Sequence, residues 1–301
     1  MSSSSSLRLR LHPNEWRQAF EAGDLLRVLR YDTLEWMAAQ QANDEARLKI
    51  FASLANPPQL GERVYAQQWR QAVELDDRPT MVRVNTMEMV EAIKTNDMER
   101  VRAYLPLANP RKLNYQPLRT ALMLGNLSAA ELMFDAAPPP PDAALLNAAV
   151  ENDSIEATQW LCGRLTFKKT HKSLVHAARH GSYRCVEWLI AHTNSGPKLN
   201  SSQPLQEAIV CHHTRCVHAL LPHSNVSANS SLALQNTALH NPGLMNLIEP
   251  LSSLEDAQNA LKTRRPHGYE EALIVLGGCA LRKHLRSELV DVSSRPLPKR
   301  M

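Results

Sequence analysis

The densest group of chemistry-bearing side chains is the run Cys211-His212-His213-Thr214-Arg215-Cys216-Val217-His218. Thiolates and imidazoles are zinc ligands. A cysteine close to a histidine, here Cys211 and His213, is also the raw material of a thiol nucleophile with its base. Each chemistry demands more than composition. A zinc site closes with ligands from two segments, in paired CxxC or HxxxH spacings, and the sequence holds no second segment of that kind. A nucleophile and its base need an acid to orient them, and none stands nearby in the sequence. A metal- or thiol-dependent protein centred on 211–218 is therefore the alternative reading. No Gly-rich phosphate loop, HExxH, GxSxG or kinase signature occurs. The chain is accordingly expected not to be an enzyme, and no metal, cofactor or catalytic residue is assigned.

Composition sets the outer limits. Of 301 residues, 44% are apolar and 21% charged, with a net charge of +4, which suits a packed core and not a disordered polyelectrolyte. Nineteen prolines against ten glycines favour helices punctuated by proline-bearing loops. Five cysteines, an odd count, argue against a disulfide framework and for a reducing compartment. The expected location is the cytoplasm, or a host cytosol if the protein is a secreted effector. No apolar run reaches the ~18 residues of a membrane helix, and the longest, Ala272 to Leu281, is interrupted by Gly277 and Gly278. Lys168, Lys169 and Lys172, like Lys262, Arg264 and Arg265, form short groups and no sustained basic stripe. A nucleic-acid partner is not expected.

The elements that must position any site are repeated. Windows opened at Met89, Leu118, Leu145, Leu174 and Leu205 begin MVEAIKTN, LRTALMLG, LLNAAVEN, LVHAARHG and LQEAIVCH, with starts 29, 27, 29 and 31 residues apart. Alanine stands three residues on in every copy: Ala92, Ala121, Ala148, Ala177 and Ala208. The next column, Ile93, Leu122, Ala149, Ala178 and Ile209, is apolar. Where the first helix should end stand Asn96, Gly125, Asn152, Gly181 and His212, types that tolerate a left-handed backbone. A second amphipathic helix follows, with Val101 and Tyr104; Ala130 and Met133; Ala157, Trp160 and Leu161; Val186 and Leu189; Val217 and Leu220. The small alanine lets consecutive first helices approach closely. Each helix pair buries its apolar faces only by stacking on its neighbours.

The best copy, Leu174 to Ile190, reads LVHAARHGSYRCVEWLI, and Gln-Pro precedes Leu118 and Leu205. These residues resemble the ankyrin repeat, whose pattern runs T-P-L-H-x-A-A-x-x-G. The threonine and the histidine of that pattern are absent, and the spacing falls below the 33 residues usual for the family. The resemblance therefore implies short or missing β-turn fingers. It implies an all-α, helix-pair solenoid over residues 81–250.

The flanks carry looser copies at Trp16 to Tyr31 and Leu232 to Ile248. WRQA recurs at Trp69 to Ala72 with no second helix expected at repeat spacing. The expected organisation is a flexible Ser-rich segment 1–12, a helical region 13–80 and the repeats to 250. A helical cap 251–289 and a disordered basic tail 290–301 would follow. Helices are expected at Leu34 to Gln41, Asp44 to Ala55, Leu60 to Leu75, Leu254 to Thr263 and Tyr269 to Leu289. The run Pro138 to Pro141 should be extended and stiff. The opening MSSSSSLRLRLHP lacks the apolar core of a secretory signal and is similar to a transit peptide or to the leader of an injected effector.

Carried over residue by residue, the resemblance places partner contacts near the end of each first helix, on the concave side of the stack. These are Lys94 (with Thr95), Met123 (with Leu124), Val150, Glu151, Arg179, His180, Val210 and Cys211. Their mixed apolar and charged character suits a protein partner. The implied function is a non-enzymatic interaction module: an adaptor, a scaffold or a pathogen effector. If the alanine column marks the helix crossings, Ala177→Leu overpacks the stack and lowers stability in urea unfolding by about 1–3 kcal/mol. A neutral effect would contradict that placement.

Overall fold

Short apolar columns separated by turn formers dictate short helices, and the computed structural model, which describes residues 10–55, 57 and 60–294, bears this out. Among the described residues every regular element is helical. The chain divides into two compact units between Pro140 and Pro141. The boundary lies within the four-proline run, which is free of regular structure, and not near residue 80.

The first unit holds α1 (Pro13–Glu21), α2 (Leu25–Gln41), α3 (Glu45–Ala55), α4 (Ala66–Glu74), α5 (Arg78–Lys94), α6 (Met98–Tyr104), α7 (Lys112–Met123) and α8 (Leu127–Ala136). It is built on a duplication that the column alignment above did not detect. Arg10, Trp16, Asp32, Glu35, Arg47 and Phe51 recur 53 residues later as Arg63, Trp69, Asn85, Glu88, Arg100 and Tyr104. The helices α2 and α5 are each 17 residues long and occupy equivalent positions. Each serves twice. Its first half is the second helix after the left-handed turn at Gly23 or Asp76. Its second half carries the next copy's first-helix residues, Trp36 and Ala39 or Met89 and Ala92. WRQA at Trp69 to Ala72 is thus followed by a second helix, contrary to expectation; fusion with the next copy hid it.

Charge fixes the start of this unit. Arg10 is buried, with its Nη1 2.6 Å from Asp32 Oδ1 and its guanidinium 4.1 Å from the centre of the Trp16 ring. Glu35 accepts the His12 amide at 3.1 Å. The segment expected to be flexible through residue 12 is therefore ordered from Arg10; residues 1–9 lie outside the described residues.

The second unit holds α9 (Ala143–Val150), α10 (Ile155–Arg164), α11 (His171–His180), α12 (Tyr183–His192), α13 (Leu199–Val210), α14 (Thr214–Leu220), α15 (Ala228–His240), α16 (Met245–Ile248), α17 (Leu254–Arg264) and α18 (Tyr269–Ser294). The first helices α9, α11, α13 and α15 pack in succession, as do the second helices α10, α12 and α14. Beyond them α15 packs on α17 and α18. The cap helix continues to Ser294, so residues 290–294 are helical and not tail. The rest of the expected tail, 295–301, lies outside the described residues.

Burial confirms the alanine column and corrects its third member. Ala92, Ala121, Ala177 and Ala208 are completely buried. In the third copy the left-handed turn residue is Asp153 (φ 55°), not Asn152. The register there starts at Leu146, one residue late, which puts Ala149 at the crossing and Thr158 and Leu161 on the inner face of α10. All three are completely buried, whereas Trp160, expected inside, is half-exposed. The degenerate sixth copy starts at Leu234 instead of Leu232, with completely buried Thr237 in the alanine column.

Two local devices join the copies. Ahead of α7, α13 and α15 proper, the chain makes one left-handed turn. It spans Leu113–Tyr115 (φ 54–55°), Asn200–Ser202 (φ 50–59°) and Asn229–Ser231 (φ 51–56°). Asparagine tolerates this region; leucine and tyrosine are strained in it. Three residues before a first-helix start, a buried hydroxyl accepts an amide of the segment entering the next copy. Thr86 takes Asn109 at 3.1 Å, Ser202 takes Asn225 at 2.7 Å and Ser231 takes Ser253 at 2.9 Å. Ser202→Ala leaves the Asn225 amide without that acceptor and is expected to cost about 1–3 kcal/mol in denaturant unfolding. A loss under about 0.5 kcal/mol would show that the bond contributes little to the stack.

Candidate functional site: the first-helix ends of the second unit

Six of the expected contact residues, Val150, Glu151, Arg179, His180, Val210 and Cys211, lie on or at the ends of α9, α11 and α13, where consecutive first helices run side by side. Arg179 and His180 are exposed and Glu151 and Cys211 half-exposed. Val210 is 37% exposed. Val150 is a correction. It is completely buried because the one-residue shift of the third copy places it in the apolar core column, and Asn152 takes the surface position. Lys94 and Met123 belong to the first unit. Lys94 is exposed and binds Glu91 at 2.9 Å, and Met123 is half-exposed.

The face is internally paired. Arg179 Nε and Nη2 donate to the two carboxylate oxygens of Glu207 at 3.1 and 3.0 Å, a side-on fork between adjacent copies. With about half of the Arg179 side chain exposed, this bridge contributes little stability. One copy earlier, His176 Nε2 lies 3.8 Å from Glu151 Oε2, too far for a hydrogen bond. The His176 and His180 rings are 4.3 Å apart. The partners His176 and Glu207 both stand two residues after a first-helix start, a column the alignment did not single out. That position faces the residue five places after the start of the preceding copy.

The Cys/His run is divided among structural tasks. His212 occupies the left-handed turn (φ 63°) and is exposed. His213 lies over Gly181, where an added Cβ would come within 2.6 Å of its Nδ1. Its Nε2 bonds the Arg179 carbonyl at 2.9 Å, and Nε2 is the donor because a carbonyl only accepts. Ser182 bonds the Glu151 carbonyl in the same way one copy earlier, at 3.2 Å. Cys185 and Cys216 occupy one column and are completely buried. Burial pushes the Cys185 thiol to about 11, against a weaker opposing bond from Thr158, and the Cys216 thiol to about 12. Cys162, beside a cavity of about 470 Å³ shared with Trp188 and His192, is likewise pushed by burial to about 11. These three thiols stay protonated at neutral pH and are poor nucleophiles. Among the described residues no three His, Cys, Asp or Glu side chains are grouped as a metal ion requires.

Burial lowers the His176 pKa, reinforced by His180 and Arg179 and opposed by Glu151. The unfolded chain therefore binds the proton more readily than the folded one. His176 contributes stability above its unfolded value near 6.5, and that stability is lost as pH falls through the lowered folded value. The expected outcome is a decline in unfolding free energy from pH 7 to pH 5 that is shallower in His176→Phe; equal slopes would exclude His176 as its source.

No helix among the described residues is long and apolar enough to cross a membrane. No curated protein matches the chain. Residues 145–232 match the family model described as ankyrin repeats (3 copies), which takes in the copies built on α9 to α14. Ankyrin repeats are in general protein–protein interaction modules, and such proteins are typically non-enzymatic. Residues 145–232 are thus similar to ankyrin repeats, in agreement with the helix pairs of that segment.

Proposed function

We propose that the chain is an adaptor or effector that binds a partner protein in the cytoplasm. The contact would be made through the first-helix ends of the second unit, around Glu151, His176, Arg179, His180, Glu207 and Val210. The observation that carries this reading is the mixed row these exposed and half-exposed residues form across three consecutive copies that resemble ankyrin repeats. An apolar edge at Val210 beside a carboxylate–guanidinium fork offers both contact area and directional bonds. Lys94 and Met123 are proposed as further contacts from the first unit.

A single reversal at Arg179 would also break its pair with Glu207. Exchanging both, Arg179→Glu with Glu207→Arg, keeps an ion pair and inverts the charge pattern that a partner meets. With circular dichroism unchanged, affinity capture from the native cell is expected to return roughly tenfold less of the partner, about 1.4 kcal/mol of binding. Undiminished capture would move the interface elsewhere.

A further inference from the structure

The last helix, α18, is apolar on two opposite faces. One faces inward: Ala272, Leu276 and Cys279 are buried, and the helix packs on α15 and α17. The other is covered by no other described residue. On it Ile274 is 75% exposed, Leu281 60% and Leu285 48%. At about 100° per residue these three lie within roughly 20° of one line along the helix. Gly277 and Gly278 stand midway along the stripe. A Cβ on Gly277 would meet no atom within 4 Å, so packing inside the chain does not call for glycine there. Glycine nonetheless costs an exposed helix about 1 kcal/mol relative to alanine. A surface helix needs one apolar face to join its core; a second apolar face fits a second partner.

Charge indicates what that partner is. Glu270 and Glu271 precede the stripe's apolar residues, Arg282 and His284 stand toward its far end, and all four are exposed. By helical position Glu271 and Arg282 flank one side of the stripe, and Glu270 and His284 flank the other. The Arg282 Nη1 lies over Gly278, 3.9 Å from where a Cβ would stand, so its charge borders the stripe. Two copies of α18 laid antiparallel, crossing at Gly277 and Gly278, set Ile274 of each against Leu281 of the other. The same register sets Glu271 of each copy opposite Arg282 of the other, and Glu270 opposite His284. A parallel pair would align like charges, which is destabilising. An anionic lipid surface would be repelled by both glutamates. Antiparallel self-pairing satisfies the apolar stripe and its flanking charges together.

We propose that this stripe is a homodimer interface, in which α18 of one chain packs antiparallel on α18 of a second copy. It uses none of the residues at the first-helix ends. One helix pair is a small contact, so the dimer is expected to be reversible and to form as concentration rises.

The test is sedimentation equilibrium of the full chain over a range of concentrations. The wild type is expected to pass from monomer to twice the monomer mass. Leu281→Asp, at an exposed position, is expected to remain monomeric with an unchanged melting temperature. Glu271→Arg and Arg282→Glu are each expected to weaken self-association about tenfold. The double exchange is expected to restore it, because the pair re-forms with its charges inverted; this keeps the test decisive if Leu281→Asp does not fold. A wild type that stays monomeric throughout would overturn the proposal, including one that sediments with anionic phospholipid vesicles. So would a double exchange that associates no more tightly than the single variants, or a Leu281→Asp chain that dimerises like the wild type.

Discussion

The bond on which the stack turns is small and part-buried: a side-chain hydroxyl at the foot of a first helix holding the backbone amide that leads into the next copy. An amide that loses its partner costs free energy, and the donor residues are only partly sheltered, Asn109 and Ser253 half-exposed and Asn225 exposed. Thr86, Ser202 and Ser231 are themselves completely buried, so the accepting end of each part-buried bond is shielded from water. The bond also sets distance. It closes only if neighbouring first helices approach closely, and a side chain no larger than alanine or threonine at the crossing permits that. The turn residue seven positions after the start completes the geometry, releasing the chain into the second helix through a left-handed conformation at Asn96, Gly125, Asp153, Gly181 and His212.

Once the backbone is fixed this way, the surface of each first helix becomes a lattice in which the residue five places after the start of one copy faces the residue two places after the start of the next. That relation explains why Glu151 meets His176 and Arg179 meets Glu207. It also explains why His213 is conscripted into the turn instead of being free for chemistry. The same logic in the first unit places charge inside instead of outside. There the fused helices α2 and α5 bury carboxylates and guanidinium groups that tie the chain ahead of α1 and α4 to the stack.

Much of this was legible in the sequence, because the alanine column, the apolar columns and the turn residues are each forced by sterics and each recur. The third copy was misread by one residue because LLNAAVEN offers two leucines and two alanines in tandem, and both registers satisfy the apolar pattern. Asp153 as the left-handed residue and Ser154 as the helix cap, which accepts the Ala157 amide at 3.4 Å, decide between them. The N-terminal copies were missed for a different reason. Fusing a second helix to the following first helix removes the turn signal that separates copies, while the 53-residue recurrence of Arg, Trp, Glu and Arg marks the relationship through charge. The hydroxyl column is hard to read from sequence because Ser202 and Ser231 stand in the polar stretches 200–203 and 229–231 and Thr86 lies inside the fused helix α5, so that only burial marks the three as equivalent.

The most direct measurement is native-state hydrogen exchange at the amides of Asn109, Asn225 and Ser253. If these hydroxyl-held amides join the copies, they exchange as slowly as the cores of α5, α13 and α15. Exchange as fast as that of open loops would mean that the copies are not joined there, and the account of the stack would fail with it.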